Sequence, residues 1–301
     1  MALPSHASTL ERVWHYAYLA ICVAIFGFLI APILVVIPLS FNAEPYFTFT
    51  QRMLSFDPDG YSLRWYERLL EQGMNAPDAI AGWWADVWNN AVWVRAAKNS
   101  FIIGIAATLL ATVLGTIAAL GLSRPEMPFR RTIMAILISP MIVPIIISAT
   151  GLFFFYSWTG LANTYAGVIM AHAVLGIPFV IITVTATLVG FDQSLTRAAA
   201  SLGANPRTTF FRVTMPLILP GVISGALFAF VTSFDEVVVV LFVADFEQQT
   251  IPRQMWNGIR EQISPAILAA ATILVAVSIA LLTTVELLRR RGERLRGITP
   301  S

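Results

Sequence analysis

Reactive and charged side chains are scarce in this chain. It has one cysteine, Cys22, which can form neither an intramolecular disulfide nor a thiolate metal cluster. Its only lysine, Lys98, is followed by Asn99, so the chain has no phosphate loop of the form Gly-x-x-x-x-Gly-Lys-Ser/Thr. The patterns His-Glu-x-x-His and Gly-x-Ser-x-Gly are also absent. We therefore expect a chain that is not an enzyme and that binds no metal and no cofactor of its own.

The lack of charge also indicates the class of protein. Asp, Glu, Lys and Arg make up 12% of the residues and hydrophobic residues 57%, whereas soluble proteins have roughly 25% charged residues. A helix needs about 20 apolar residues to cross a bilayer. The sequence predicts an all-α integral membrane protein with six transmembrane helices, each formed by one of the runs Tyr16–Leu39, Phe101–Leu122, Thr132–Tyr156, Tyr165–Val189, Gly221–Val243 and Pro265–Val285. Polar residues and Gly160, between the third and fourth runs, predict a tight hairpin there.

The distribution of cations predicts the orientation in the membrane. Of the 19 Lys and Arg residues, 12 lie on the side that holds both termini and seven on the other. Because short loops rich in these residues stay in the cytoplasm, we expect both termini and the connection at 192–220 to be cytoplasmic. The net charge of +2 reflects this asymmetry and does not indicate a nucleic-acid partner.

The predicted extracytoplasmic connection between the first two spans, Ser40–Ala97, is long enough to have a structure of its own. It is rich in aromatic residues, and Trp84, Trp88 and Val92 recur at helical spacing. Such a stripe is typical of a helix that lies at the membrane interface. Direct contact with a binding protein is the alternative interpretation.

The connection Asp192–Pro220 begins with strong helix signals. Apolar residues at helical spacing predict a short helix over Gln193–Leu202. Gly203 should end it, because glycine tolerates the left-handed backbone that often follows a helix. The alanines of this helix would let another backbone approach closely, which indicates a docking surface and not a catalytic site.

A second short helix is predicted directly after this one. Asn205 followed by Pro206 is typical of an N-cap and the first helical residue. We expect this helix to run to about Met215. Pro216 and Pro220 should then break it before the next span.

The spacing within this loop is similar to that of the permease subunits of binding-protein-dependent type I ABC importers, the MetI-like family. Those subunits have Glu-Ala-Ala, then Gly after three residues, then Ile-x-Leu-Pro after nine more, and the segment seats in a groove of an ATPase subunit. The corresponding residues here are Arg197-Ala198-Ala199, Gly203 and Val213-Thr214-Met215-Pro216. The resemblance implies a coupling-helix loop with these ATPase-coupling residues: Arg197, Ala198, Ala199, Leu202, Gly203, Ala204, Pro206 and Pro216. Arg197 replaces the usual Glu, and an ordinary inter-helix loop is the alternative.

Two adjacent carboxylates lie within the fifth predicted span. Ionisable groups deep in a bilayer usually face a cavity, an ion path or a partner charge. We predict a pathway for a cationic solute that includes Asp235, Glu236, Phe234, His172 and Trp256. The alternatives are that the carboxylates cap a broken helix or pair with arginines of a second subunit, and that His172 only packs against its neighbours.

Two further segments, Ser62–Tyr66 and Ile251–Arg260, resemble external segments of the spermidine/putrescine-type permeases. The resemblance implies residues 1–98 as an N-terminal tail, first transmembrane helix and extracytoplasmic loop, 99–288 as the permease core, and 289–301 as a basic cytoplasmic tail. It implies half of an ATP-driven import pathway in a bacterial inner membrane for a small, polyamine-like solute. An opine, amino-acid-like or aminophosphonate substrate is an alternative, as is an ion-coupled secondary transporter that relies on the two carboxylates.

The same resemblance implies the partners. They are a second permease subunit, identical or different, two ATPase subunits that hold ATP and Mg, and a periplasmic substrate-binding protein. The run Arg289-Arg290-Arg291 after the last span also predicts contact with anionic membrane lipid.

Overall fold

The computed structural model describes residues 8–77, 82–124, 126–192, 194–261 and 264–295. Within these ranges the regular structure is helical, and the only β pairing is a single bridge between Asn42 and Tyr61. The α-helices are α1 (Thr9–Leu39), α2 (Gln51–Leu54), α3 (Arg64–Glu71), α4 (Trp83–Asn90), α5 (Val92–Leu122), α6 (Arg130–Ile142), α7 (Ile145–Thr159), α8 (Tyr165–Val189), α9 (Ser194–Ser201), α10 (Pro206–Thr209), α11 (Met215–Asp235), α12 (Val238–Val243), α13 (Ile251–Glu261) and α14 (Ala266–Leu295). The prediction of an all-α protein is confirmed.

The chain divides into two compact units. The first comprises Met1–Gln72 and Gly258–Ser301, and in it α14 packs against α1 and α3. The chain after α1 folds around the fully buried Asn42, whose carbonyl accepts a hydrogen bond from the Trp65 indole at 2.7 Å. The prediction that this connection has a structure of its own is therefore confirmed.

The second unit, Gly73–Asn257, is built on three helices, α5, α8 and α11, that pack at very short distances. A Cβ added at Gly115 would lie 2.7 Å from Val180 Cβ, and one added at Gly225 would lie 2.8 Å from Val180 Cα. Real side chains cannot approach so closely, so only glycine fits at these two crossings. Small residues at crossings of this kind let membrane helices gain van der Waals contact along their backbones.

In the part of the chain that the structure describes, four helical segments are long and apolar enough to cross a membrane: Thr9–Leu39, Val92–Leu122, Tyr165–Val189 and Pro206–Asp235. The pair α6 and α7 provides a fifth if the two helices count as one span. In α14 the described apolar part, Ala266–Ala280, is shorter. The predicted total of six spans therefore stays a prediction, as do the predicted boundaries at residues 98 and 288. The side chains of Arg289-Arg290-Arg291 lie outside the described residues.

The third predicted span is a bent pair of helices and not one helix. The axes of α6 and α7 differ by 101° at a break beside Val143 and Pro144. Val143 has an extended backbone with ψ of 132°, because the ring of a following proline disfavours the helical conformation. Pro140 stays inside α6. The turn predicted after this span is present, since Gly160 follows α7 with φ of +77°.

The fifth predicted span is also interrupted. The helix α11 ends at Asp235, and α12 begins at Val238 after two non-helical residues, Glu236 and Val237. At the other end of α11, the prediction that Pro216 and Pro220 break the chain was wrong, because the chain is helical from Pro206 to Asp235.

The stripe predicted at the membrane interface is divided between two helices. Trp84 and Trp88 lie on α4 and are exposed. Val92 begins α5, because Ala91 between the two helices is extended with ψ of 120°.

Candidate functional site

The short helix α9 begins with a side-chain cap. Asp192 accepts hydrogen bonds from the backbone N–H of Ser194 at 2.8 Å and from the Ser194 hydroxyl at 2.7 Å. These bonds hold the pKa of the Asp192 carboxyl below its usual value, and the nearby charge of Arg197 lowers that pKa further. The carboxylate of Asp192 thus offsets the unfavourable position of a cation in the first turn of a helix.

The helix α9 ends in a Schellman motif. The N–H of Gly203 donates to the carbonyl of Ala200 at 2.9 Å, and the N–H of Ala204 donates to that of Ala199 at 3.0 Å. Gly203 has a φ of +83°, a value at which a Cβ strains the backbone of other residues. The left-handed glycine predicted from the sequence is confirmed, and it sets the direction in which the chain leaves α9.

The next helix begins as the sequence predicts. The side-chain oxygen of Asn205 accepts the N–H of Thr208 at 2.8 Å, and Pro206 is the first helical residue. The chain then passes through a π-helical turn, Phe210–Thr214, into α11. Pro216 lies at the start of α11, directly after the wide π-turn, where a proline disrupts the hydrogen-bond ladder least.

The segment from Ser194 to Pro216, which we call the docking loop, presents small and apolar groups on its surface. Leu202 is 88% exposed, and Phe211 is also exposed. Among the predicted coupling residues, Arg197, Ala198, Gly203, Pro206 and Pro216 are exposed as well, whereas Ala199 and Ala204 are half-buried. Exposed apolar groups rimmed by polar residues mark interaction surfaces, so the geometry suits contact with another protein chain.

The two predicted pathway carboxylates lie in different surroundings. Asp235 is the last residue of α11, and its side chain is exposed. Glu236 is 8% exposed, and its Oε1 accepts the N–H of Val239 at 2.9 Å. Glu236 therefore caps the start of α12, and Asp235 is the carboxylate available to a solute or to another subunit.

His172 and Phe234 pack beside the end of α11. The fully buried His172 shares a 2.8 Å hydrogen bond between its Nδ1 and the hydroxyl of Ser233. Phe234 stacks on Phe230 with ring centroids 5.4 Å apart and meets Phe101 edge-on at 5.3 Å. The predicted residue His172 therefore lies beside Ser233, which directly precedes Phe234, Asp235 and Glu236 in the chain.

Trp256 lies apart from these ring contacts, on α13, and its side chain is exposed. Within the described ranges, no three His, Cys, Asp or Glu side chains are placed to hold a metal ion.

One polar cluster was not foreseen from the sequence. Asn99 and Ser100 near the start of α5 and Tyr165 at the start of α8 bind the backbone of the segment 245–251, which follows α12. We call these three residues with that segment the clasp. The sequence offers one sign of this cluster, the polar residues Asn99 and Ser100 near the start of an apolar helix. Their partners lie about 150 residues away in the sequence, so local patterns do not identify them.

A family model described as binding-protein-dependent transport system inner membrane component matches residues 111–294. The spermidine/putrescine transport system permease protein PotC of Haemophilus influenzae is 29% identical over 89% of this chain and 95% of its own length. The putrescine transport system permease protein PotI of Escherichia coli is 31% identical over 91% of each chain.

Two solved structures share the fold. A bacterial ABC transporter that imports the acidic polysaccharide alginate has a TM-score of 0.67 at 14% identity, over 95% of this chain and 99% of the other. A bacterial alginate ABC transporter in complex with an alginate-pentasaccharide-bound periplasmic protein has a TM-score of 0.53 at 17% identity, over 77% and 88%. With the family match over most of the chain, this protein belongs to the binding-protein-dependent transport system inner membrane components, as an ABC-importer permease subunit similar to the polyamine permeases.

Proposed function

We propose that this permease subunit forms half of an ATP-driven import pathway for a small, amine-bearing cation of the polyamine class. The observation that carries the proposal is the docking loop, a capped and rigid corner that exposes small and apolar side chains. The substrate class is supported by the relatives, which are spermidine/putrescine and putrescine permeases. A periplasmic binding protein delivers the substrate, by analogy with the alginate transporter that forms a complex with a pentasaccharide-bound periplasmic protein.

The docking loop transmits force in this proposal. A partner ATPase, which holds ATP and Mg, grips the surface of α9. Because the Schellman motif and the Asn205 cap fix the angle between α9 and the helix that begins at Pro206, movement of α9 moves the α11 segment as a rigid body. Closure of two ATPases would draw together two such loops, one from each of two permease subunits, and ATP hydrolysis would reset them.

The end of α11 recognises the cation. An exposed carboxylate at a helix C-terminus adds its negative charge to the negative end of the helix dipole, and Asp235 therefore offers a local site of negative potential. The half-buried ring of Phe234 beside it adds an aromatic group to which an ammonium group is attracted. Trp256 and His172 are further members of the proposed pathway. Both termini and the docking loop face the cytoplasm of a bacterium, and this chain itself catalyses no reaction.

Reconstitution tests the proposal. The chain is placed in proteoliposomes with its second permease, its ATPase and its binding protein, and uptake of labelled putrescine and spermidine is measured. We expect uptake that requires ATP and the binding protein. Uptake by this chain alone, driven by an ion gradient and indifferent to ATP, would identify a secondary transporter instead. ATP-driven uptake of an amino-acid-like compound, an opine or an aminophosphonate, without polyamine uptake, would retain the importer and replace the substrate class.

A further inference from the structure

The clasp is centred on a buried amide whose hydrogen bonds are nearly all made. Asn99 is 2% exposed, and its Nδ2 donates to the carbonyls of Glu247 at 2.7 Å and Gln249 at 2.9 Å. Its Oδ1 accepts the hydroxyl of Tyr165 at 2.8 Å. Because carbonyls can only accept, the two carbonyls fix which end of the amide faces them. Among uncharged side chains, only asparagine and glutamine have an amide with two donors and an acceptor, and glutamine is longer.

Neighbouring contacts hold the same backbone segment. The hydroxyl of Ser100 accepts the N–H of Ile251 at 2.9 Å. The guanidinium of Arg95 lies 3.7 Å from a Glu247 carboxylate oxygen and 4.1 Å from the ring centroid of Phe246. The segment 245–251 is therefore fixed to one face of α5 over roughly two helical turns.

The clasp is joined to the pathway carboxylates by a short rigid element. The helix α12 has six residues and is therefore about 9 Å long. Its valines at 239, 240 and 243 are fully buried among α7 and α8, and the carbonyl of Val243 accepts the N–H of Asn163 at 2.8 Å. Its other end is capped by Glu236. The helix α12 has no internal hinge, and one extended residue, Ala244, joins it to the segment 245–251, so a displacement of the segment reaches α12 through that residue.

We propose that Asn99 is a positioning residue for Asp235 and Glu236, acting through the segment 245–251 and α12. With the clasp formed, α12 is held at both ends, and the break between α11 and α12 has one defined geometry. With the clasp open, only the packing of α12 and the bond from Asn163 to Val243 hold that end of the helix, and the break between α11 and α12 can take other geometries. Asn99 therefore decides where the exposed carboxylate stands relative to the pathway. The inference deepens the proposed function, since Asp235 belongs to the pathway assigned there.

A thiol-labelling experiment tests the positioning role without reference to a substrate. In the full transporter, Cys22→Ser removes the only cysteine and Asp235→Cys supplies a reporter. The probe is a membrane-impermeant, cationic methanethiosulfonate reagent. Adding Asn99→Asp replaces the donor that faces two carbonyls with an oxygen, and we expect the labelling rate at position 235 to change by about fivefold or more. Asn90→Ala is the control, because that amide donates to Asp86 within α4 and lies outside the clasp, and it should leave the rate unchanged.

A second reporter separates positioning from general disruption. Ser157→Cys lies on an exposed part of α7, and its labelling rate should be the same with and without Asn99→Asp. The inference would be overturned if the labelling rate at position 235 were the same with and without Asn99→Asp, including the case of no labelling in either. It would also be overturned if Asn99→Asp changed the labelling rates at positions 235 and 157 equally. If Asn99→Asp does not accumulate in the membrane, Tyr165→Phe decides in the same way, because it removes only the hydroxyl that bonds Asn99 and Glu247.

Transport measurements distinguish this inference from the proposed function. With native Asp235, Asn99→Asp should lower putrescine uptake per ATP hydrolysed, whereas Asn90→Ala should not. A transporter with the native sequence that takes up neither polyamine would contradict the proposed substrate, and the labelling rates would still decide the role of Asn99. Normal uptake per ATP in Asn99→Asp would count against the inference and leave the importer proposal intact.

Discussion

Gly203 has the backbone conformation on which the shape of the docking loop depends. Its φ of +83° strains any other residue, although a Cβ there would meet nothing within 4 Å. We expect Gly203→Ala to cost roughly 1–2 kcal/mol locally through the backbone alone and to lower ATP-driven uptake while the protein still accumulates. Gly151→Ala is the matched control, because Gly151 lies inside α7 and a Cβ there is equally free of contacts. Equal uptake by the two variants would contradict the role given to this corner.

The carboxylate of Asp235 is expected to contribute to the affinity for the cation. Asp235→Asn removes one negative charge and keeps the shape of the side chain, so the KM for putrescine should rise by about tenfold or more if the carboxylate meets the cation in the pathway. Asp59→Asn removes an exposed carboxylate from a turn outside the spans and should leave the KM unchanged. A similar KM for both variants and the native chain would remove Asp235 from the pathway.

Glu236 distinguishes the two interpretations of the carboxylate pair. A glutamine still offers an oxygen to the N–H of Val239, whereas alanine leaves the first turn of α12 without its cap. We therefore expect Glu236→Gln to retain most of the uptake and Glu236→Ala to lose it, because a lost N-cap costs roughly 0.5–2 kcal/mol. Equal loss in both variants would instead indicate that the negative charge of Glu236 is needed.

Local chemistry explains which of these residues could be predicted from the sequence. Gly203, Asn205 and Pro206 act on backbone groups within a few positions of themselves, so their order alone indicates a helix end and a helix start. The cap formed by Glu236 is equally local, and it was left open as an alternative to a pathway role. Asn99 was missed because its partners follow from the packing of α5 against a distant segment.

At the scale of elements, the crossings of α5, α8 and α11 leave no room for side chains at several glycines. Gly225→Ala would place a Cβ 2.8 Å from the backbone Cα of Val180, and overpacking of this kind typically costs about 1–3 kcal/mol. We expect a lower thermal unfolding temperature in detergent for this variant. Gly121→Ala, at an open site on α5, should be neutral or slightly stabilising through helix propensity. An unfolding temperature for Gly225→Ala at or above that of Gly121→Ala would show that this crossing is not close-packed.

Apolar runs in the sequence predict the presence of helices better than their continuity. The runs at 132–156 and 221–243 were each counted as one span, and each is interrupted. In the first, Pro144 disfavours the helical conformation at Val143. In the second, the carboxylate of Glu236 accepts the N–H of Val239, which a backbone carbonyl would accept in an unbroken helix. Pro216 and Pro220 had the opposite outcome, because the chain stays helical past both: Pro216 follows the π-turn at the start of α11, and Pro220 lies inside that helix.

At the scale of the whole molecule, composition and the lengths of the apolar runs were sufficient for the class of protein and for its membrane location. The length of an apolar run reflects the thickness of a bilayer, so this part of the fold follows from physics that does not depend on the partners of each residue. The proposed pathway depends on which helices meet and on the proposed second subunit, and a single sequence records neither. That is why the docking loop was predicted in detail and the clasp was not.

The proposed function depends most on the docking loop meeting an ATPase on the cytoplasmic side. With Cys22→Ser as background, Leu202→Cys introduces one thiol at a highly exposed position directly after α9, which a bifunctional reagent can join to a neighbouring chain. We expect a cross-linked product that contains the partner ATPase. We expect no such product when Phe56→Cys, on the predicted external connection, is the sole thiol. Labelling of Leu202→Cys by an impermeant reagent added only from the periplasmic side, with no ATPase cross-link, would contradict the proposed function.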